Sequence, residues 1–240
     1  MKHNDPTTDA ERLDLVKTSD ELNLICAAAE LVAVGHHAVR GALEPGRTER
    51  ELWDVAATAI ALAGGEPANA VVDLMVGERT SLVGEPPGET RLAEGDPVLF
   101  DLAPKHGGYW ADSCATFACG KPSPALCRRH SVVIDALERG MACARPGVSA
   151  GAVDAAIRER LASRGLKCPH HTGHGVGARA QEPPWFVPGN DFVLEEGMVV
   201  ALEPGNYADG FGVRLEHLTV VEADGARPLT HHSLALTDER

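Results

Sequence analysis

A chain of 240 residues, 44% hydrophobic and 24% charged, is long enough for one large domain with a real core or for two small ones, and has the composition of an ordinary soluble globular protein. Its 35 acidic against 22 basic residues leave a formal charge of −13, which argues against a nucleic-acid backbone or an anionic membrane as the main partner. No apolar run approaches the roughly 20 residues that span a bilayer, Met1 to Glu11 lacks the apolar centre of a signal peptide, and none of the six cysteines forms a Cys-x-x-Cys pair, so reduced thiols in a cytoplasmic protein are expected.

Residues 1–15 read as a polar lead-in and 16–240 as a single domain, with no low-complexity linker to divide it. Thr18-Ser-Asp-Glu21 is a capping box ahead of an apolar-periodic run, which predicts a helix from Leu22 to Ala42. His36 and His37 fall in its second half and are assigned no function. Pro45-Gly46 breaks the chain, and Thr48-x-x-Glu51 starts a second helix to about Leu62, ended by Gly64-Gly65. A strand is predicted over Val71 to Val76, then an irregular connection from Gly77 to Glu89. After the segment around residue 110, helices are predicted from Ala125 to Ala144 and from Ala150 to Arg164, separated by Pro146-Gly147 and closed by Gly165. The order helix, Pro-Gly, helix, strands thus occurs twice, a repeat of elements rather than of residue identities.

Each half carries one hairpin with a pair of acids. In Val98-Leu-Phe-Asp101 through Tyr109-Trp-Ala-Asp112, a turn centred between His106 and Gly107 sets Asp101 opposite Asp112. In the second half, Asp209-Gly210 is a strong two-residue hairpin signal, and a turn centred there sets Glu203 opposite Glu216. Two ionised carboxylates about 5 Å apart repel unless a cation lies between them, so each pair reads as half of a metal site. Cys114, two residues beyond Asp112, points to the same face and is read as a small apolar filler. Between the second pair of helices and the second hairpin lies Pro169-His-His-Thr-Gly-His-Gly-Val-Gly177, whose glycines allow close backbone approach around His174. Four carboxylates and one imidazole form a hard, oxygen-rich set that suits Mn²⁺, Fe²⁺ or Co²⁺ better than a thiolate-type zinc site. The expected architecture is α+β, an antiparallel sheet shared by the two halves and backed by helices.

Together these segments resemble the pita-bread metallopeptidases, the family of methionine aminopeptidase, aminopeptidase P, prolidase and creatinase. The motifs that carry the resemblance are Val98-Leu-Phe-Asp101, Tyr109-Trp-Ala-Asp112, His171-Thr-Gly-His174-Gly-Val-Gly177, Glu182-Pro-Pro, Leu202-Glu-Pro-Gly205 and Gly212-Val-Arg-Leu-Glu216. The resemblance implies the pita-bread fold and a dinuclear centre of two divalent metal ions held by Asp101, Asp112, His174, Glu203 and Glu216. Glu203 would also act as acid/base toward water, and His171 would line the approach. Arg214, on the strand face of Glu216, would orient a ligand carboxylate, while His217 would face away as a structural residue. Tyr109 and Trp185 would form apolar pocket walls. The chain begins without the extra N-terminal domain that prolidase-type relatives carry.

Two positions depart from the peptidase pattern. Gly84 and Gln181 stand where the family places histidines that contact the scissile peptide and stabilise the oxyanion. Gln181 can donate from its amide but cannot relay a proton, and Gly84 offers no side chain. The leading expectation is therefore a dinuclear-metal enzyme acting on a small amino-acid-like or peptide-like molecule by non-peptidase chemistry. The alternative is an aminopeptidase or Xaa-Pro dipeptidase with a modified oxyanion site, and a third reading is a non-catalytic binding module. A small molecule or short peptide is the expected partner, and a homodimer is compatible with this reading.

Overall fold

The sequence places a helix-capping threonine three residues ahead of a glutamate twice in the first half, and both boxes close in the computed structural model, which describes residues 14–237. Thr18 N–H donates to Glu21 Oε2 (2.8 Å) and Glu21 N–H to Thr18 Oγ1 (3.3 Å), starting α1 at Ser19–Gly41. The same exchange between Thr48 and Glu51 starts α2 at Glu49–Leu62. Residues 1–13 of the expected lead-in lie outside the described residues. Its last residue departs from expectation: Leu15 is a buried core side chain, and Val16 bridges to Met198. Helix α1 also corrects the sequence reading, since by length and composition it is apolar enough to cross a membrane. In the fold its Ile25, Ala28, Val32 and Val39 are fully buried core residues.

The strands follow as β1 (Val71–Val76), β2 (Pro97–Ala103), β3 (Lys105–His106), β4 (Tyr109–Trp110) and β5 (Ser113–Ala118). Then come α3 (Pro124–Cys143), α4 (Ala150–Ala162), β6 (Gly173–Gly175), β7 (Glu182–Trp185), β8 (Val199–Leu202), β9 (Gly205–Ala208), β10 (Phe211–Arg214), β11 (His217–Glu222) and β12 (Gly225–Pro228). A three-stranded sheet, β1-β2-β5, serves the first half and a five-stranded sheet, β12-β11-β8-β6-β7, the second; every pairing is antiparallel. Ser123 caps α3 through Leu126 N–H (3.1 Å), and α4 ends at Ala162, two residues earlier than the periodicity predicts.

The repeat of elements extends to the backbone. Gly46 N–H donates to Leu92 O and Gly147 N–H to Leu194 O, and the bridges Thr48↔Arg91 and Ser149↔Val193 are likewise equivalent. Both glycines of the Pro-Gly breaks have positive φ, 95° and 85°, which only glycine adopts without strain. Asp101 and Glu203 sit at matching places, near the end of β2 and just past the end of β8. This is the α+β pita-bread arrangement, with one carboxylate hairpin from each half.

The first hairpin is shifted from its predicted register. Its turn is Gly107-Gly108 (φ 57° and 95°), with His106↔Tyr109 and Lys105↔Trp110 paired, and Asp101 lies opposite Cys114 rather than Asp112. The reason is local: a tight hairpin turn needs two left-handed residues, and two glycines satisfy that where His106 does not. The error moves the partner by two residues, an even step, so Asp112 remains on the face of Asp101 as a diagonal neighbour. The second hairpin forms as predicted, with Asp209 (φ 53°) and Gly210 (φ 82°) at its turn. Its register runs from Phe211↔Ala208 through Arg214↔Gly205, on through Leu215 N–H to Pro204 O, and into His217↔Leu202. Glu203 therefore faces Glu216.

Candidate metal centre

The two hairpins and β6 converge on a cavity of about 330 Å³ lined by Asp101, Asp112, His171, His174, Glu203 and Glu216, and also by Asp73, His170 and Arg214. Glycine makes the approach of β6 feasible: a Cβ at Gly173 would sit 2.3 Å from Ala201 O, and one at Gly175 only 2.1 Å from Pro183 O. His174 is thereby pressed into the sheet and is 1% exposed. Its Nδ1 lies 2.9 Å from Gly175 O, and because a carbonyl can only accept, Nδ1 carries the proton and Nε2 presents a lone pair. That lone pair is 3.6 Å from both Asp112 Oδ2 and Glu203 Oε1.

Two sets of donor atoms come within 4.8 Å of one another: His171, His174 and Glu203, and Asp112, His174 and Glu216. Glu216, 1% exposed, has an Oε1 with no hydrogen-bond partner among the described residues, and the same holds for Asp101 Oδ1. A buried carboxylate oxygen without a donor is costly. Carboxylate oxygens without a donor beside the Nε2 lone pair of His174 fit divalent cations, and the oxygen-rich set fits hard or borderline ones.

The electrostatics agree. Burial pushes Asp101 up to about 7 against the pull of Arg214, with Asp73 and Glu203 adding to the rise. Burial, then the repulsion of Asp101 and Glu203, holds Asp112 well above the ordinary carboxylate range, and burial with Asp112 and Asp101 does the same to Glu216. Glu203 is the exception. Burial works to raise it, but the hydrogen bond from His171 and the neighbouring imidazoles outweigh burial and hold it at about 2. His171 Nε2 lies 2.9 Å from Glu203 Oε1.

Around these residues stands a supporting layer. Arg214, 4% exposed, donates from Nη2 to Asp101 Oδ2 (2.5 Å) and to Asp73 Oδ2 (3.1 Å), and so fixes the orientation of both carboxylates. Nδ1 of His170 donates to His171 O (2.6 Å), leaving Nε2 to accept from Tyr207 Oη (3.0 Å). Lys17 pairs with Glu182 (2.6 Å), both side chains buried, and this fixes the start of β7 with Gln181 at the rim of the cavity.

Gly84 and Gln181 both line the cavity as expected. Two expected wall residues do not. Tyr109 turns away, because its Oη donates to Glu21 Oε1 (2.7 Å) on α1, a stronger partner than an apolar wall provides. Trp185 stands behind the histidines, its ring 5.5 Å from His171 and 6.0 Å from His174, and buttresses them without lining the cavity. His217 is structural, with Nδ1 2.9 Å from Thr230 Oγ1. Cys114 is fully buried, with Sγ 3.5 Å from Arg214 Nε. The sequence reading missed Asp73 and His170. The first is a lone acid in the apolar run Val-Val-Asp-Leu-Met-Val and the second adjoins His171, so both had a visible signal. A larger hollow of about 670 Å³ against α3 and α4 shares no lining residue with the carboxylate cavity and gathers arginines rather than metal ligands.

Comparison with known proteins agrees with this geometry. The sequence profile of metallopeptidase family M24 matches residues 23–223. The chain is 37% identical over 219 residues to a probable dipeptidase PepE of Mycobacterium tuberculosis, covering 90% of this chain and 58% of the relative. It is 33% identical over 234 residues to an Xaa-Pro dipeptidase of Lactobacillus helveticus, covering 95% and 63%. Among solved structures, dipeptidase PepE from Mycobacterium ulcerans superposes with a TM-score of 0.90 at 34% identity, covering 94% of this chain and 62% of that one. Prolidase from Pyrococcus furiosus superposes at 0.88 and 29%, covering 92% and 67%. The chain spans about three fifths of the length of the curated relatives it matches. With the profile matched across most of its length, and with both carboxylate hairpins and the imidazole of β6 meeting in one cavity, this chain belongs to metallopeptidase family M24.

Proposed function

We propose that the protein is a metal-dependent hydrolase that cleaves an amide or peptide bond in a small, dipeptide-sized molecule. The observation that carries this reading is the convergence of the His174 Nε2 lone pair with Asp112, Glu203 and Glu216 in a cavity of about 330 Å³. A cavity at the lower end of the ligand-pocket range holds a group of about dipeptide size. The relatives named as dipeptidases support peptide hydrolysis over the non-peptidase chemistry that the sequence reading put first.

Asp101, Asp112, His174, Glu203 and Glu216 would hold two divalent ions. Such ions supply Lewis acidity toward a carbonyl and make water a nucleophile near neutral pH. Glu203, the carboxylate held ionised, accepts the proton of the attacking water and returns it to the leaving amine. His171 keeps Glu203 in place through its 2.9 Å contact. Arg214 holds Asp101 from beneath, and Gln181 offers an amide donor at the rim.

A second reading, non-peptidase chemistry on the same centre, is favoured by one observation. Gly84 has φ 75°, a conformation L side chains rarely adopt, so the backbone there is set for glycine and is not a histidine site with its ring removed. Both readings meet the same experiment. Mn²⁺ titration followed by assay on Xaa-Pro dipeptides and short Met-peptides should show saturable uptake of about two ions per chain and metal-dependent hydrolysis. Uptake without turnover of any peptide supports the second reading, and absence of uptake refutes both.

A further inference from the structure

We infer that Asp73 is a specificity-determining residue of this cavity, selecting a substrate that presents a positive charge, an ammonium or guanidinium group, at the place left open beside Gly84. The inference rests on the reading of the cavity as the substrate site and deepens it by naming a substrate class.

Asp73 belongs to neither set of metal-donor atoms, yet its side chain is 21% exposed and lines the cavity. It sits directly across from Asp101 in the β1–β2 pair. Like charges opposite each other on one sheet face repel. Here a single guanidinium spans both, with Arg214 Nη2 3.1 Å from Asp73 and 2.5 Å from Asp101. One guanidinium therefore touches both carboxylates, with the shorter bond to Asp101, and Asp73, the acid outside the five proposed metal ligands, keeps a face toward the cavity.

The space in front of that charge is open. A Cβ built at Gly84 would meet only Asp73 Oδ2 within 4 Å, at 4.0 Å. The positive φ of Gly84 also disfavours any side chain that would fill the gap from the protein. Val71, Val83, Ala103 and Ala180 supply apolar walls beside this place, with Val71 and Val83 on its solvent side. A ligand cation seated there gives the second acid its own partner, so that two carboxylates face two cations. A neutral isostere in the same place can donate to Asp73 but brings no counter-charge, so the charge-assisted part of the interaction is lost.

The test uses n-propylguanidinium and its neutral isostere n-propylurea, titrated calorimetrically into the Mn²⁺-loaded protein. The guanidinium stays protonated and so does not compete as a metal ligand. Wild type should bind the cation about tenfold or more tightly than the urea, and Asp73→Asn, nearly isosteric, should bring the two to within about twofold. Gly84→Asn, which tolerates left-handed backbone, should weaken both probes by filling the gap. Equal affinities in wild type, or an undiminished preference in Asp73→Asn, would overturn the role of Asp73. A parallel Mn²⁺ titration separates the two levels of the argument. Normal uptake without charge preference removes only this inference, whereas no uptake removes the reading of the cavity on which it stands.

Discussion

Replacing Arg214 by methionine removes the one buried cation that joins β1, β2 and β10. Asp73 and Asp101, their side chains 21% and 18% exposed, are then left opposite each other without the guanidinium that bridges them. The contacts, at 3.1 and 2.5 Å, amount to roughly 5 and 7 kcal/mol of attraction at an effective dielectric near 20, before desolvation is subtracted. After that subtraction, loss of one partner from a buried ionic group costs about 3–5 kcal/mol. The cost depends on pH, with a sign that follows from Asp101. Its pKa in the fold is raised to about 7 from an ordinary 3.8, so the folded form binds a proton the unfolded chain has released between those values. Protonated, the acids no longer repel, and Arg214→Met at pH 5 should cost only about 1–2 kcal/mol for lost hydrogen bonds. At pH 8 wild-type Asp101 is largely ionised against Arg214, and the variant must either hold that charge without a partner or take up a proton, so the cost should be larger, up to ~3–5 kcal/mol. Urea denaturation of the metal-free proteins at the two pH values measures both figures. Saturating Mn²⁺ at pH 8 should recover part of the loss, because cations on Asp101 substitute for the guanidinium. A cost below about 1 kcal/mol at pH 8, or one independent of pH, would refute the assignment of Arg214 as the shared counter-charge.

For the unmodified metal-free protein, the raised pKa values of Asp101, Asp112 and Glu216 make stability fall as pH rises above the ordinary carboxylate range, where the unfolded acids ionise, and for Asp101 the fall runs from about 3.8 to about 7. The slope should be near 1.4 kcal/mol per pH unit for each proton involved. Mn²⁺ should reverse the trend, since the ion binds the deprotonated acids, and calorimetry in buffers of different ionisation enthalpy should detect protons released on uptake. In Gly175→Ala the new methyl would lie 2.1 Å from Pro183 O. The methyl would meet main chain that cannot swing aside as a side chain can, so the substitution should cost more than about 2 kcal/mol and weaken Mn²⁺ uptake through displacement of His174.

Much of this protein was legible in the sequence because its signals act over a few residues. The two Thr-x-x-Glu boxes set the starts of α1 and α2, Pro-Gly breaks separated the helices of each half, and Asp209-Gly210 fixed a register that ran unbroken from the turn to Glu203 and Glu216. Even the misplaced first turn kept both aspartates on one face, since strand side chains alternate with a period of two and the error was even. Tertiary structure alone decided the rest. Asp73 became part of the site through Arg214, 141 residues away, and Gln181 reached the rim because Lys17 anchors Glu182 across 165 residues. Tyr109 left the pocket for Glu21, and Trp185 moved behind the histidines. Local patterns fix backbone conformation and which face a side chain takes. Which of several polar partners a buried group meets is a competition among residues distant in sequence, and only the packed chain brings those competitors together.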